Sequence, residues 1–173
     1  MQSFLKIALN FIIFFFLSIS YSQSLDSLKI SITDVENKND FKEVALFFKE
    51  VENQKTNNNF KLLEEHLILA QKNLIWAVKE GTIEEQLLAK YFIFLYYNSN
   101  NNEVEIITRG NELISIPEFL KLPESIFTLF CLKASLERTD QFNTLLQILP
   151  LYYKHMEDYG AVFGVKLEQL VRF

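Results

Sequence analysis

The chain has 173 residues, 49% of them hydrophobic and 23% charged, with a formal net charge of −5 and only 4 Gly and 3 Pro. That composition supplies one apolar core, and the scarcity of turn-forming residues argues against a β-sandwich or barrel and for long helices joined by a few polar turns. Acidic and basic residues interleave without a Lys/Arg block, which excludes the basic footprint that displaces counterions from nucleic acid, and a polybasic membrane-surface segment with it.

Met1 to Ser22 reads as a secretory signal peptide. Lys6 supplies the positive start, Ile7 to Ile19 is apolar apart from Asn10 and Ser18, and Ser20 and Ser22 place small residues where a signal peptidase looks. An apolar core of about 13 residues is short for a membrane helix, which needs roughly 20. The expectation is cleavage after Ser22, an exported periplasmic or extracellular chain, and no stable membrane span in the mature part. Residues 23–173 then form one helical domain.

Leu25, Leu28, Ile32 and Val35 recur at helical spacing and predict a first helix. Asp40 with Glu43 has the form of a capping box, followed by the apolar face Phe41, Val44, Phe48 and Val51. The run NQKTNNN from Asn53 has no apolar residue and predicts a turn. Phe60 to Glu80 is the longest periodic segment, with Phe60, Leu63, Leu67, Ala70, Leu74 and Ala77 on one side. Gly81 ends it, and Thr82 with Glu85 opens the next helix as a second capping box.

Leu87 to Tyr97 is apolar almost all round. Its piece YFIFLYY also suits a buried strand, but the upstream cap and the length from Ile83 decide for a helix buried between neighbours. Asn98 to Asn101 forms a turn, and Asn102 with Glu105 caps a helix over Glu103 to Ile114. Pro123 fits the first turn of a helix running to Arg138. Thr139 or Asp140 then caps a partner helix with Phe142, Leu145, Leu149, Tyr153 and Met156 on one face, kinked at Pro150 and closed by Gly160. Ala161 to Phe173 starts another apolar helix. The count is about seven helices after the signal peptide.

The polar turns at 53, 98 and 137 each join two apolar helical runs, at a spacing of roughly 40 residues that signals a repeat array. A helix pair cannot bury both its faces alone, so stacked antiparallel pairs sharing one core are the physical solution.

Little in the chain points to chemistry. Cys131 is the sole cysteine, so it can form neither an intrachain disulfide nor a thiolate cluster, and its apolar neighbours mark it as a buried small hydrophobe. His66 and His155 lack the spacing that puts two metal ligands on one helical face. Gly81, Gly110, Gly160 and Gly164 are never grouped as a phosphate loop, although Gly160 and Gly164 suit close helix packing. The carboxylate pairs Glu64-Glu65 and Glu84-Glu85 diverge by about 100° on a helix, unlike a convergent acid/base pair. No catalytic residue, cofactor or metal is expected, and the chain is not expected to be an enzyme. Tyr91, Tyr96, Tyr97, Tyr152 and Tyr153, with Tyr159, are candidates for a recognition surface, because tyrosine offers contact area with a polar tip.

The segment Leu88 to Pro117 resembles a degenerate tetratricopeptide repeat. Ile93 and Tyr97 match the first helix of that pattern and Ile106, Gly110 and Leu113 the second, while Phe94 stands where the family has glycine and Pro117 lies one residue early. The exported, Asn-, Lys- and Ile-rich chain, with SYSQS at the end of its leader, is also similar to the N-terminal extracytoplasmic regions of Bacteroidetes repeat proteins, some of which continue into membrane-anchored sensors. The resemblance implies an αα-superhelix that binds a protein or peptide partner. Two other functions suit the same sequence. One is the sensory input region of, or partner to, a longer signalling regulator whose pattern continues past Phe173. The other is a helical bundle holding a small ligand.

Overall fold

A computed structural model describes residues 32–54 and 61–170, with side chains at 32–52 and 61–157. The expected signal peptide, the expected turn after Gln54, Phe60 and the start of the first expected helix lie outside the described residues. Apart from Ile32, the described residues belong to the compact unit Thr33–Phe173.

The described residues form helices joined by turns and short irregular segments and contain no strand. Six α-helices follow one another: α1 (Lys38–Gln54), α2 (Glu64–Glu80), α3 (Ile83–Ser99), α4 (Glu103–Ile114), α5 (Glu124–Arg138) and α6 (Phe142–Leu170), with a 3-10 turn at Phe119–Lys121 before α5. Each helix packs against the next, α1 also reaches α3, and the 3-10 turn rests on α4 and α5.

Two expectations at the start of the unit are corrected. Residues 32–37 are not helical, so Ile32 and Val35 do not continue a first helix. The cap of α1 also lies three residues earlier than the Asp40/Glu43 reading. Asn37 Oδ1 accepts from the N–H of Asn39 (2.8 Å) and Asp40 (3.2 Å), and Asp40 Oδ2 accepts in return from Glu36 N–H (3.0 Å) and Asn37 N–H (3.2 Å). Asp40 therefore closes a reciprocal cap from inside the first turn. The apolar face of α1 is as the periodicity requires, with Phe41, Val44, Phe48 and Val51 buried and Phe47 joining them.

Helix α2 begins at Glu64 rather than Phe60. Its buried face is Leu69, Ala70, Asn73, Trp76 and Ala77, whereas Leu63 precedes the helix and is 58% exposed. Gly81 ends it because the chain turns back tightly: a Cβ there would lie 2.8 Å from the Ala77 carbonyl oxygen. The cap of α3 is the one legible in the sequence. Glu85 N–H donates to Thr82 Oγ1 (3.2 Å) and Thr82 N–H to Glu85 Oε2 (2.7 Å).

Helix α3 is the centre of the core, with Tyr91 to Leu95 buried without a break. Phe92 stacks on Phe48 of α1, ring centroids 4.8 Å apart. Gly110 of α4 packs between two helices: a Cβ there would touch the Phe94 ring of α3 at 3.5 Å, an ordinary contact, and press more tightly on the Leu132 side chain of α5 at 3.3 Å. Burying side chains of this size contributes about 1.5–3 kcal/mol each.

The turns α3–α4 and α5–α6 are built alike. Asn101 and Asp140 have φ of 54° and 55°, and the next residue's N–H closes a bond to a carbonyl five positions back, Asn102 to Tyr97 (3.0 Å) and Gln141 to Leu136 (2.9 Å). Both are helix ends of the Schellman type, with Asn and Asp at the left-handed position usually given to glycine. Thr139 and Asp140 consequently finish α5 instead of capping α6, and the Thr139 hydroxyl donates to Ser135 O (2.8 Å).

A last correction concerns α6. It runs for 29 residues, through Pro150 and past Gly160, so Gly160 closes nothing and no separate helix starts at Ala161. Pro150 removes one N–H from the ladder, and it sits at an exposed position of a helix that continues on both sides of it.

Candidate functional site

The five candidate tyrosines do not form one surface. Tyr91 is 1% exposed and belongs to the core among Phe92, Phe94 and Phe119, and Tyr152 is likewise buried, against α5. Both are removed from a recognition surface by the same cause: each stands on the apolar face that its helix turns inward. Burial pushes the Tyr91 phenol well above its ordinary range, with Glu52, Cys131 and Glu124 nearby adding to the shift. Tyr96 and Tyr97 are half-buried and meet edge to face at 5.2 Å, and the Arg109 guanidinium lies 6.0 Å from the Tyr97 ring centre. Tyr153 alone is well exposed. Tyr159 falls outside the described side chains.

The histidines serve the fold. Leu63 N–H donates to His66 Nδ1 at 2.9 Å, so the neutral ring caps α2 where Leu63 offers no side-chain acceptor. His66 also stacks on Phe47, centroids 5.1 Å apart. Burial holds its pKa below the ordinary value, against the opposing charge of Glu65. His155 is buried and lies 2.9 Å through Nε2 from Leu120 O and 3.1 Å through Nδ1 from Leu151 O. Pro123 has no N–H with which to serve the Leu120 carbonyl three residues back, and the imidazole takes that role.

A concave site opens where residues 34–36 cross α2. Asp34, Val35, Glu36, Lys72, Ile75, Trp76, Lys79 and Glu80 line a groove of about 400 Å³. Trp76 forms its base beside Phe41, ring centroids 5.2 Å apart, and Ile75 forms a wall that is 69% exposed. Lys72 ties the crossing segment down through the Asp34 carboxylate and Thr33 O (2.6 Å), while Lys79 pairs with Glu80 at 3.0 Å on the exposed rim. The rim therefore carries charges of both signs over an apolar base.

Behind the groove, Trp76 Nε1 and both amide atoms of Asn73, one turn earlier on α2, are buried without a hydrogen-bond partner. Each such group costs about 1–3 kcal/mol. Sequence reasoning missed this groove, since it depends on residues far apart in the chain meeting, and only the lone tryptophan marked the place.

Nothing in the groove resembles a reacting centre: its acids and amines are spread along a rim, not converged on one point. Among the described residues, no group of three or more His, Cys, Asp or Glu is placed to hold a metal ion. Cys131 is buried in α5. No helix among them is long and apolar enough to cross a membrane. Compared with protein families, with curated proteins and with solved structures, the chain matches none.

Proposed function

We propose that this chain is an exported α-helical repeat module that works by binding a protein or peptide. The groove carries the reading. An apolar base walled by exposed Ile75 and rimmed by charges of both signs suits an extended or helical peptide, which needs apolar anchors inside and polar contacts at the edge. Ile68 and Val78, both exposed on α2, extend the apolar surface beyond the groove. The two like-built turns at Asn101 and Asp140, roughly 40 residues apart, support the repeat character.

Site-specific photo-crosslinking tests this. A photoreactive residue in place of Ile75 should give discrete, saturable protein adducts in the cell envelope, and the same residue at exposed Glu118 should not. Absence of adducts at Ile75, or the same adducts from both positions, would sink the idea.

A second reading has the groove's size in its favour, because about 400 Å³ lies within the range of small-molecule sites. A thermal-shift screen separates the two: a small ligand well above its Kd raises the midpoint, and that rise must vanish when Lys72 and Ile75 are replaced.

A further inference from the structure

The charges around the groove beside α2 do not cancel. Three acids, Asp34, Glu36 and Glu80, stand against two bases, Lys72 and Lys79. Both bases are engaged. The Lys72 ammonium is held by the Asp34 carboxylate and by Thr33 O at 2.6 Å, and Lys79 pairs with Glu80 at 3.0 Å. Glu36 is exposed, and among the described residues it is the one acid of the groove with no cation at ion-pair distance. Its place is fixed from both sides. Its own N–H donates to Asp40 Oδ2 at 3.0 Å, and its neighbour Val35 packs on the cluster that contains Phe41 and Trp76. The rest of the lining, Val35, Ile75 and Trp76, is apolar.

We propose that the groove takes a lysine or arginine side chain of a basic partner peptide, with the stem against Ile75 and Trp76 and the charged head at Glu36. An apolar lining that ends at a carboxylate without a counter-charge matches a side chain of that build. Lysine and arginine lay their methylene stems along apolar surface while the charged head stays in a polar, wet place, and a guanidinium also stacks on an indole. A leucine or phenylalanine would cover the same apolar lining but shield the Glu36 carboxylate from water without a partner for it. A carboxylate would enter a groove whose bases are already paired and whose acids are in excess. The chain as a whole carries −5, which draws a basic partner from a distance and works against a second copy of itself as the occupant. The proposal rests on the groove being a peptide site and adds the chemistry of its anchor.

Fluorescence titration of the purified chain tests the proposal, because its sole tryptophan lies in the groove. The probes are pools of end-blocked octapeptides, each with one fixed central residue (Arg, Lys, Leu, Phe or Glu) among random uncharged positions. The Arg and Lys pools should change the emission most, and the response should weaken as salt is raised. Glu36→Gln, at an exposed position outside any helix, should weaken binding about fivefold, and Glu36→Lys roughly 20-fold. Lys79→Gln removes a competing positive charge and should tighten binding about threefold. A response greatest for the Leu, Phe or Glu pool overturns the proposal, as does no response to any pool, or binding indifferent to Glu36→Lys. Crosslinking at Ile75 separates this failure from failure of the peptide site itself. Adducts that persist unchanged in Glu36→Lys leave a peptide site with a different anchor, whereas absence of adducts removes the site.

Discussion

Gly110 is the position at which three helices, α3, α4 and α5, approach one another across a single glycine. In Gly110→Val the new Cβ would start 3.3 Å from Leu132 Cδ1 and 3.5 Å from the Phe94 ring, and two methyl groups would extend about 1.5 Å further toward atoms that are fully buried. Helix propensity favours valine over glycine by roughly 0.3 kcal/mol, while overpacking of this kind costs about 1–3 kcal/mol, so the strain wins. The expected loss is about 1–2.5 kcal/mol. Urea unfolding followed by circular dichroism should show the midpoint fall with an unchanged slope. If the cause is the Phe94 ring, Phe94→Leu in the same chain should recover at least about 1 kcal/mol of coupling energy. A Gly110→Val protein as stable as the parent, or a loss that Phe94→Leu leaves untouched, would refute the packing between α3, α4 and α5.

Two further outcomes follow from the caps. Thr82→Ala removes the oxygen that accepts from Glu85 N–H and should cost about 1 kcal/mol in the same assay. The Glu85 carboxyl is held below its ordinary value of 4.5, first by the bond from Thr82 N–H and further by Lys38, with burial opposing. Its contribution is therefore present above pH 4.5 and lost as pH falls through the lower folded value, so Glu85→Gln should flatten that part of the acid-unfolding curve and leave neutral pH less stable. His155→Leu keeps most of the packed volume but leaves the Leu120 carbonyl without its imidazole partner, and should cost about 1–3 kcal/mol. A His155→Leu protein as stable as the parent would show that the hydrogen bond contributes nothing.

Much of the fold is local, and local features are what a sequence states openly. The Thr82/Glu85 and Asn102/Glu105 caps, the buried face of α1 and the helical identity of YFIFLYY all follow from short-range spacing. The errors have physical causes too. Asn37 is not legible as a cap because Asp40 and Glu43 offer an equally good pattern three residues later. Asp140 looks like a helix starter, but its left-handed backbone makes it a helix finisher. Gly160 reads as a stop, although a helix tolerates one glycine at a cost of about 1 kcal/mol. The groove was illegible because the approach of Asp34 to Lys72 has no short-range signature. Tyrosine composition likewise says nothing of direction, and Tyr152 is buried while its neighbour Tyr153 is exposed.

Trp76 is the only tryptophan in the chain, and it is 7% exposed at the base of the groove, in contact with α1 through Phe41. Intrinsic fluorescence from this protein is accordingly a single-site signal. Its emission should be blue-shifted in the folded state and move to the red when α1 parts from α2, before or together with global unfolding. Any molecule that settles on the groove would change the same emission, so the chain carries its own optical probe at the place where binding is proposed.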